Sequence, residues 1–268
     1  WESKLANGMR VYGIENKEVP LMQFEIVVAG GLLLEDINKV GVSNLMARLM
    51  TKGTAKKTAQ ELEEAMQQLG ATINVSARTE DVRISVNTLA RNYQATLALV
   101  EEILLQPRWD EKEFALLKQS VLSQIRQQEA NPNAVAGAQF AKLMYGQNNI
   151  RSRNQLGTAE TINAISLDDL KAYYSKNMAA SVARMHVVGA VPKTQVTASL
   201  QSLGKQWQAG KVELPAPAAA PSVAGGKVYF YDIPDAKQSV LRIGYPALAV
   251  TDKDYYPASV MNYILGGG

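Results

Sequence analysis

Apolar positions along the chain follow two periods in turn. Residues 9 to 14 and 22 to 28 alternate, with Phe24 and Ile26 on one face, and Asn7-Gly8 ahead of the first run reads as a hairpin turn. Both runs predict strands. Val42, Leu45, Met46, Leu49 and Met50 then recur at i, i+3, i+4, i+7 and i+8, one helical stripe over about 40 to 53 that Gly53 stops. Thr58 and Glu61 have the spacing of a capping box for a second helix closing at Gly70, and alternation returns over 72 to 77 and 82 to 89 around the polar turn 79 to 81. Helical patterns follow at about 90 to 106 and 110 to 129, cut by Pro107 and by Asn131-Pro132. Shorter ones lie near 133 to 145 and at 167 to 176, the latter capped by Ser166 with Asp169. A strand at 185 to 188 and a helix near 193 to 204 complete the series. Strands in runs, interleaved with pairs of helices, predict an α+β domain in which an antiparallel sheet has helices packed on one face.

Residues 211 to 226 break the pattern with three prolines, five alanines and a closing glycine pair, and only Lys211 and Glu213 are charged. This reads as a linker. After it, 227 to 232 and 239 to 244 read as strands, and a helix that follows breaks off at Gly266, Gly267 and Gly268. An offset of 216 residues lays Ala258, Met261 and Leu265 over Val42, Leu45 and Leu49, and Ser259 over Ser43; close to the same offset Val228-Tyr229 falls on Val11-Tyr12 and Gln238 on Gln23. The expected organisation is a complete domain over 1 to 210, the linker, and the beginning of a second copy over 227 to 268, which is too small to bury a core of its own. The chain is therefore expected to be a fragment of a longer, duplicated protein.

Composition narrows the chemistry. With 47% hydrophobic and 20% charged residues the chain is globular, and 28 Lys and Arg against 25 Asp and Glu leave +3, too little to argue for nucleic acid or an anionic membrane. The absence of cysteine excludes a disulfide framework, a thiolate zinc site and a cysteine nucleophile. A single histidine, His186, excludes sites built on two imidazoles. It lies in a strand pattern with no carboxylate placed beside it by the sequence, and reads as a structural or surface residue. Glu61, Glu63 and Glu64 crowd a helix start and read as a solvated face favoured by the helix dipole. Gly266 to Gly268 lack the Lys-Ser or Lys-Thr of a phosphate loop. Tyr173-Tyr174 and Tyr255-Tyr256 read as core and rim residues beside helices, with an aromatic wall for peptide binding as the alternative. No stretch reaches the roughly 20 apolar residues of a membrane span.

The run from Gly41 to Thr54, Gly-Val-Ser-Asn-Leu-Met-Ala-Arg-Leu-Met-Thr-Lys-Gly-Thr, resembles the signature helix of the pitrilysin/insulinase zinc peptidases, family M16. There the pattern is Gly, apolar, small, H-x-x-E-H, two apolar residues and Lys-Gly-Thr. Further likeness lies in the hairpin from Leu5 to Val11, in 157 to 162, in 174 to 177, and in Ile264 to Gly268, so it covers nearly the whole chain in family order.

In the family pattern two imidazoles four residues apart grip zinc, and the glutamate before the second serves as general base. This chain carries Asn44, Ala47 and Arg48 at those places. The family's third ligand, a glutamate on a later helix, corresponds to Gln124 in the run from Leu122 to Arg126. Loss of the base alone costs roughly 10² to 10⁴ in rate; loss of every ligand removes the metal, and Arg48 adds a repulsion on the order of several kcal/mol.

The resemblance thus implies an inactive member, with no metal, no cofactor and no catalytic residue of its own. Many bacterial members pair such a chain with a subunit bearing H-x-x-E-H, and the two enclose a peptide substrate. That hetero-oligomer is the expected role. A scaffold that kept the fold for its interfaces is the alternative, and an autonomous peptidase with an unfamiliar site a further one. Relatives of this kind are exported, so a periplasmic location is expected, with the start at Trp1 read as a removed signal peptide.

Overall fold

The structure, a computed structural model, describes residues 1–216, 226–234, 237–244 and 247–267. Six strands form one sheet: β1 (Glu2–Lys4), β2 (Arg10–Glu15), β3 (Leu21–Ala29), β4 (Thr72–Ala77), β5 (Asp81–Leu89) and β6 (Ala183–Gly189), in the order β1-β2-β6-β3-β5-β4. The helices are α1 (Val42–Met50), α2 (Ala59–Gln68), α3 (Tyr93–Leu105), α4 (Glu111–Glu129), α5 (Pro132–Tyr145), α6 (Ala159–Ala164), α7 (Leu167–Asn177), α8 (Lys193–Ser199), α9 (Gln201–Gln206) and α10 (Tyr255–Asn262).

The α+β class holds, with one departure from the expected antiparallel sheet: β2 and β6 run parallel. The reason is geometric. β2 and β3 run in opposite directions, and β6 inserts between them, so it is antiparallel to β3 and must be parallel to β2. Alternation sorts the two faces. Met22, Phe24, Ile26, Met185, Val187, Ile84 and Val86 are buried beneath the helices, while Gln23, Glu25, Arg83, Ser85, Arg184 and His186 stand on the other face.

Local chemistry sets the helix boundaries. Thr58 and Ser166 form the expected capping boxes with Glu61 and Asp169, each pair satisfying two backbone N–H groups at its helix start. A third box, Thr158 with Thr161, opens α6, a short helix that the apolar periodicity did not mark.

The apolar runs at 227 to 232 and 239 to 244 form no strands, contrary to expectation. A strand exists only by pairing, and among the described residues no segment pairs with them. Their apolar side chains stand exposed, 98% for Val228 and 96% for Ile243. Helix α10 forms where the sequence placed one. Most of the expected linker, 217 to 225, and Gly268 lie outside the described residues.

Candidate functional site

Helix α1 is the centre of the site, and it is buried almost all round. Of its nine residues only Asn44 and Arg48 reach partial exposure, four apart on one face. Ala47, between them, is fully buried. The helix starts at Gly41, whose φ of 112° favours glycine; a Cβ there would lie 2.6 Å from Ile162 Cδ1 and 3.2 Å from the Leu156 carbonyl oxygen. Gly41 has no capping side chain of its own. Its cap comes from Glu35, which accepts hydrogen bonds from Gly41 N–H at 2.7 Å and Ser43 N–H at 2.6 Å. Burial pushes the Glu35 carboxyl above its ordinary pKa, and the N–H donors of Gly41 and Ser43 only partly offset that.

Three of the four positions named from the sequence, Asn44, Arg48 and Gln124, meet at one cleft, and Ala47 is buried out of it. Arg48 donates from Nη2 to Gln124 Oε1 on α4 at 3.0 Å, and Gln124 in turn donates from Nε2 to Ser120 Oγ at 3.3 Å. Burial holds the Arg48 guanidinium below its usual pKa. Asn44, Arg48 and Gln124 line an open cleft of about 510 Å³. Its far wall is the loop after α5: Arg153, Asn154 and Gln155. Asn154 donates to Gln128 Oε1 at 2.5 Å and Gln155 to Thr79 Oγ1 at 2.9 Å, pinning the loop to α4 and to the β4–β5 turn. Sequence reading missed these loop residues, because nothing local marks a segment placed by long-range hydrogen bonds.

This donor set does not fit zinc. Zinc sites are built from thiolate, imidazole and carboxylate ligands, whereas the cleft offers neutral amides and guanidinium groups that carry no acceptor. The Asn44 Oδ1 atom is buried without a hydrogen-bond donor. Among the described residues no three His, Asp or Glu side chains gather as a metal cluster elsewhere.

The other candidates lie apart from the cleft. His186 does have a carboxylate neighbour: its Nδ1 sits 2.9 Å from Glu25 Oε1 across the β3–β6 pairing, on the open sheet face. Burial raises the Glu25 carboxyl, but the hydrogen bond to His186 and the charge of Arg83 outweigh it and hold the group below its ordinary value. Glu61, Glu63 and Glu64 are exposed on α2. Tyr173 is buried and donates to the Gly31 carbonyl oxygen at 2.7 Å, Tyr174 donates to that of Leu104 at 2.5 Å, and Tyr256 is exposed.

Two family descriptions cover the chain. Insulinase (Peptidase family M16) matches residues 10–158, and Peptidase M16 inactive domain matches residues 164–268. The chain belongs to peptidase family M16. Its relatives include a Helicobacter pylori protein named Non-peptidase homolog YmxG, 24% identical over 95% of this chain, and a Rickettsia felis protein named Uncharacterized zinc protease, 22% identical over 99%. The chain spans 58% and 63% of their respective lengths. Among solved structures, a Pseudomonas fluorescens peptidase M16 inactive domain superposes with a TM-score of 0.75 at 24% identity, covering 81% of this chain and 53% of that one. The Escherichia coli periplasmic protease PqqL gives 0.72 at 16% identity, covering 81% and 25%. These likenesses show the M16 fold. The junction between the two matched families, at 158 to 164, falls inside the packed unit, since β6 lies within the sheet.

Proposed function

We propose that this M16 chain is a non-catalytic half of a peptidase, enclosing a peptide substrate opposite a subunit that carries H-x-x-E-H. One observation carries the reading. Where the family signature places its ligands and base, this chain has Asn44, Ala47, Arg48 and Gln124, and the last two are hydrogen-bonded to each other at 3.0 Å. A guanidinium tied to an amide leaves no anionic ligand and fixes a positive charge at the metal position, so hydrolysis falls to the partner. The contribution left to this chain is to restrict the peptide and exclude water around chemistry done opposite it.

The name of the Helicobacter pylori relative supports a non-peptidase reading, while the Rickettsia felis relative is named a zinc protease. The likeness to a periplasmic protease supports the periplasm as its compartment, and among the described residues no helix is long and apolar enough to cross a membrane. In this reading residues 1–210 form the first domain, 211–226 a linker and 227–268 the start of a second, whose exposed apolar runs pair once the rest of that domain is present.

Peptide hydrolysis measured with this chain alone, with an H-x-x-E-H-bearing M16 subunit alone, and with both together tests the proposal. Activity that requires both supports it. Activity of this chain alone overturns it, and a mixture no more active than the partner favours a scaffold.

A further inference from the structure

The cleft that cannot hold a metal has the makings of a different site. Two of its lining residues are arginines, Arg48 and Arg153, and no lining residue is acidic. Neither arginine has a carboxylate within 4.0 Å among the described residues, although Arg83, Arg108 and Arg151 all do. Arg48 spends one of its five N–H donors on Gln124. The Arg153 side chain makes no hydrogen bond among the described residues, and its Nε is buried without an acceptor. A buried guanidinium donor without an acceptor costs a fold stability, and a bound anion is one group that satisfies both its hydrogen bond and its charge. Arg153 also borders a second cavity lined by Glu129 and Lys142, yet forms no ion pair with Glu129.

We propose that this cleft binds the carboxylate of a peptide, with the guanidinium groups of Arg48 and Arg153 as its cationic contacts. A planar guanidinium meets a carboxylate through two parallel N–H···O bonds, which suits this anion. At about 510 Å³ the cleft is far larger than a free carboxylate or phosphate needs, and its remaining wall, which includes Asn44, Gln128, Asn154 and Gln155, is uncharged and rich in amides, a lining compatible with a peptide chain. The inference deepens the substrate-enclosing role by naming which part of a peptide this half holds. It requires no partner subunit and no hydrolysis, so its failure and the failure of that role are read separately.

The test is calorimetric titration of the chain alone with acetyl-trialanine as the free acid, with its C-terminal amide, with an amide-capped peptide carrying one internal Glu, and with inorganic phosphate. The free acid is expected to bind saturably and at least about tenfold more tightly than the amide. Arg48→Gln and Arg153→Gln are each expected to lose about tenfold or more, with Arg91→Gln, on an exposed residue, unchanged. Tight binding of the internal-Glu peptide supports the site and makes side-chain carboxylates its ligand. The acid-against-amide comparison needs no variant, so a substitution that unfolds the chain leaves the test intact. Equal affinity for acid and amide, no binding of either at about 10 mM, or phosphate binding as tightly as the peptide acid overturns the proposal.

Discussion

Arg48 on α1 and Gln124 on α4 face each other as donor and acceptor, Nη2 to Oε1 at 3.0 Å, at the two positions that the resemblance to the family signature assigned to metal ligands. Two side chains that sequence comparison treats as separate losses are one contact. Arg48 brings a cation to this contact, and Gln124 opposite supplies an uncharged oxygen that the cation can use.

If the positions are right and only their chemistry is wrong, zinc binding can be restored. The quadruple variant Asn44→His, Ala47→Glu, Arg48→His and Gln124→Glu is expected to bind about one equivalent of zinc by metal analysis, as a four-coordinate site with three protein ligands and water does. The same variant without Gln124→Glu should bind far more weakly. A quadruple variant that folds but takes up no zinc would show that these four positions do not converge as a metal site.

Glu35 caps α1 from outside the helix, so Glu35→Ala should expose two N–H groups at once and destabilise the chain by about 1 to 2 kcal/mol. The melting temperature reads this directly. Because burial raises the folded-state pKa of Glu35, its contribution is fully present below the ordinary carboxylate value of 4.5 and declines as pH rises through the raised value. Glu35→Gln should remove that decline; an unchanged pH profile would mean that Glu35 does not titrate differently on folding.

Glu25 has the opposite sign. His186 and Arg83 hold its folded pKa below the ordinary value, so its contribution is present above 4.5 and is lost as pH falls through the lowered value. Acid unfolding of Glu25→Gln should therefore begin with less stability above that range and show a shallower loss below it. A parallel curve displaced at every pH would contradict the assignment.

Gly41→Ala tests how tightly α1 is held. The left-handed backbone and the 2.6 Å approach to Ile162 Cδ1 together should cost about 1 to 3 kcal/mol. Gly70→Ala, at φ 55° with open space around it, should cost less. Equal losses would show that the crowding at Gly41 relaxes freely.

What the sequence revealed and what it hid divide along range. The apolar stripe of α1 and the capping pairs at Thr58 and Ser166 are local, and each forms where its spacing placed it. Asn44, Ala47, Arg48 and Gln124 were legible only through the resemblance; composition alone named none of them. The parallel pairing of β2 with β6 depends on two segments far apart in the chain and leaves no local mark. The same holds for the Glu25 carboxylate beside His186, and for Arg153, which reaches the cleft through a loop pinned by Thr79 and Gln128. Residues 227 to 232 and 239 to 244 show the converse: their apolar runs read as strands, but a strand is a property of two segments.

The central claim is that this chain holds no metal where its family signature does. The direct measurement is zinc content after incubation of the purified chain with excess zinc and exhaustive dialysis. The expected result is well below about 0.1 equivalent, because two amides and a guanidinium supply no ligand set; a content near one equivalent that Arg48→Ala or Gln124→Ala abolishes would contradict it.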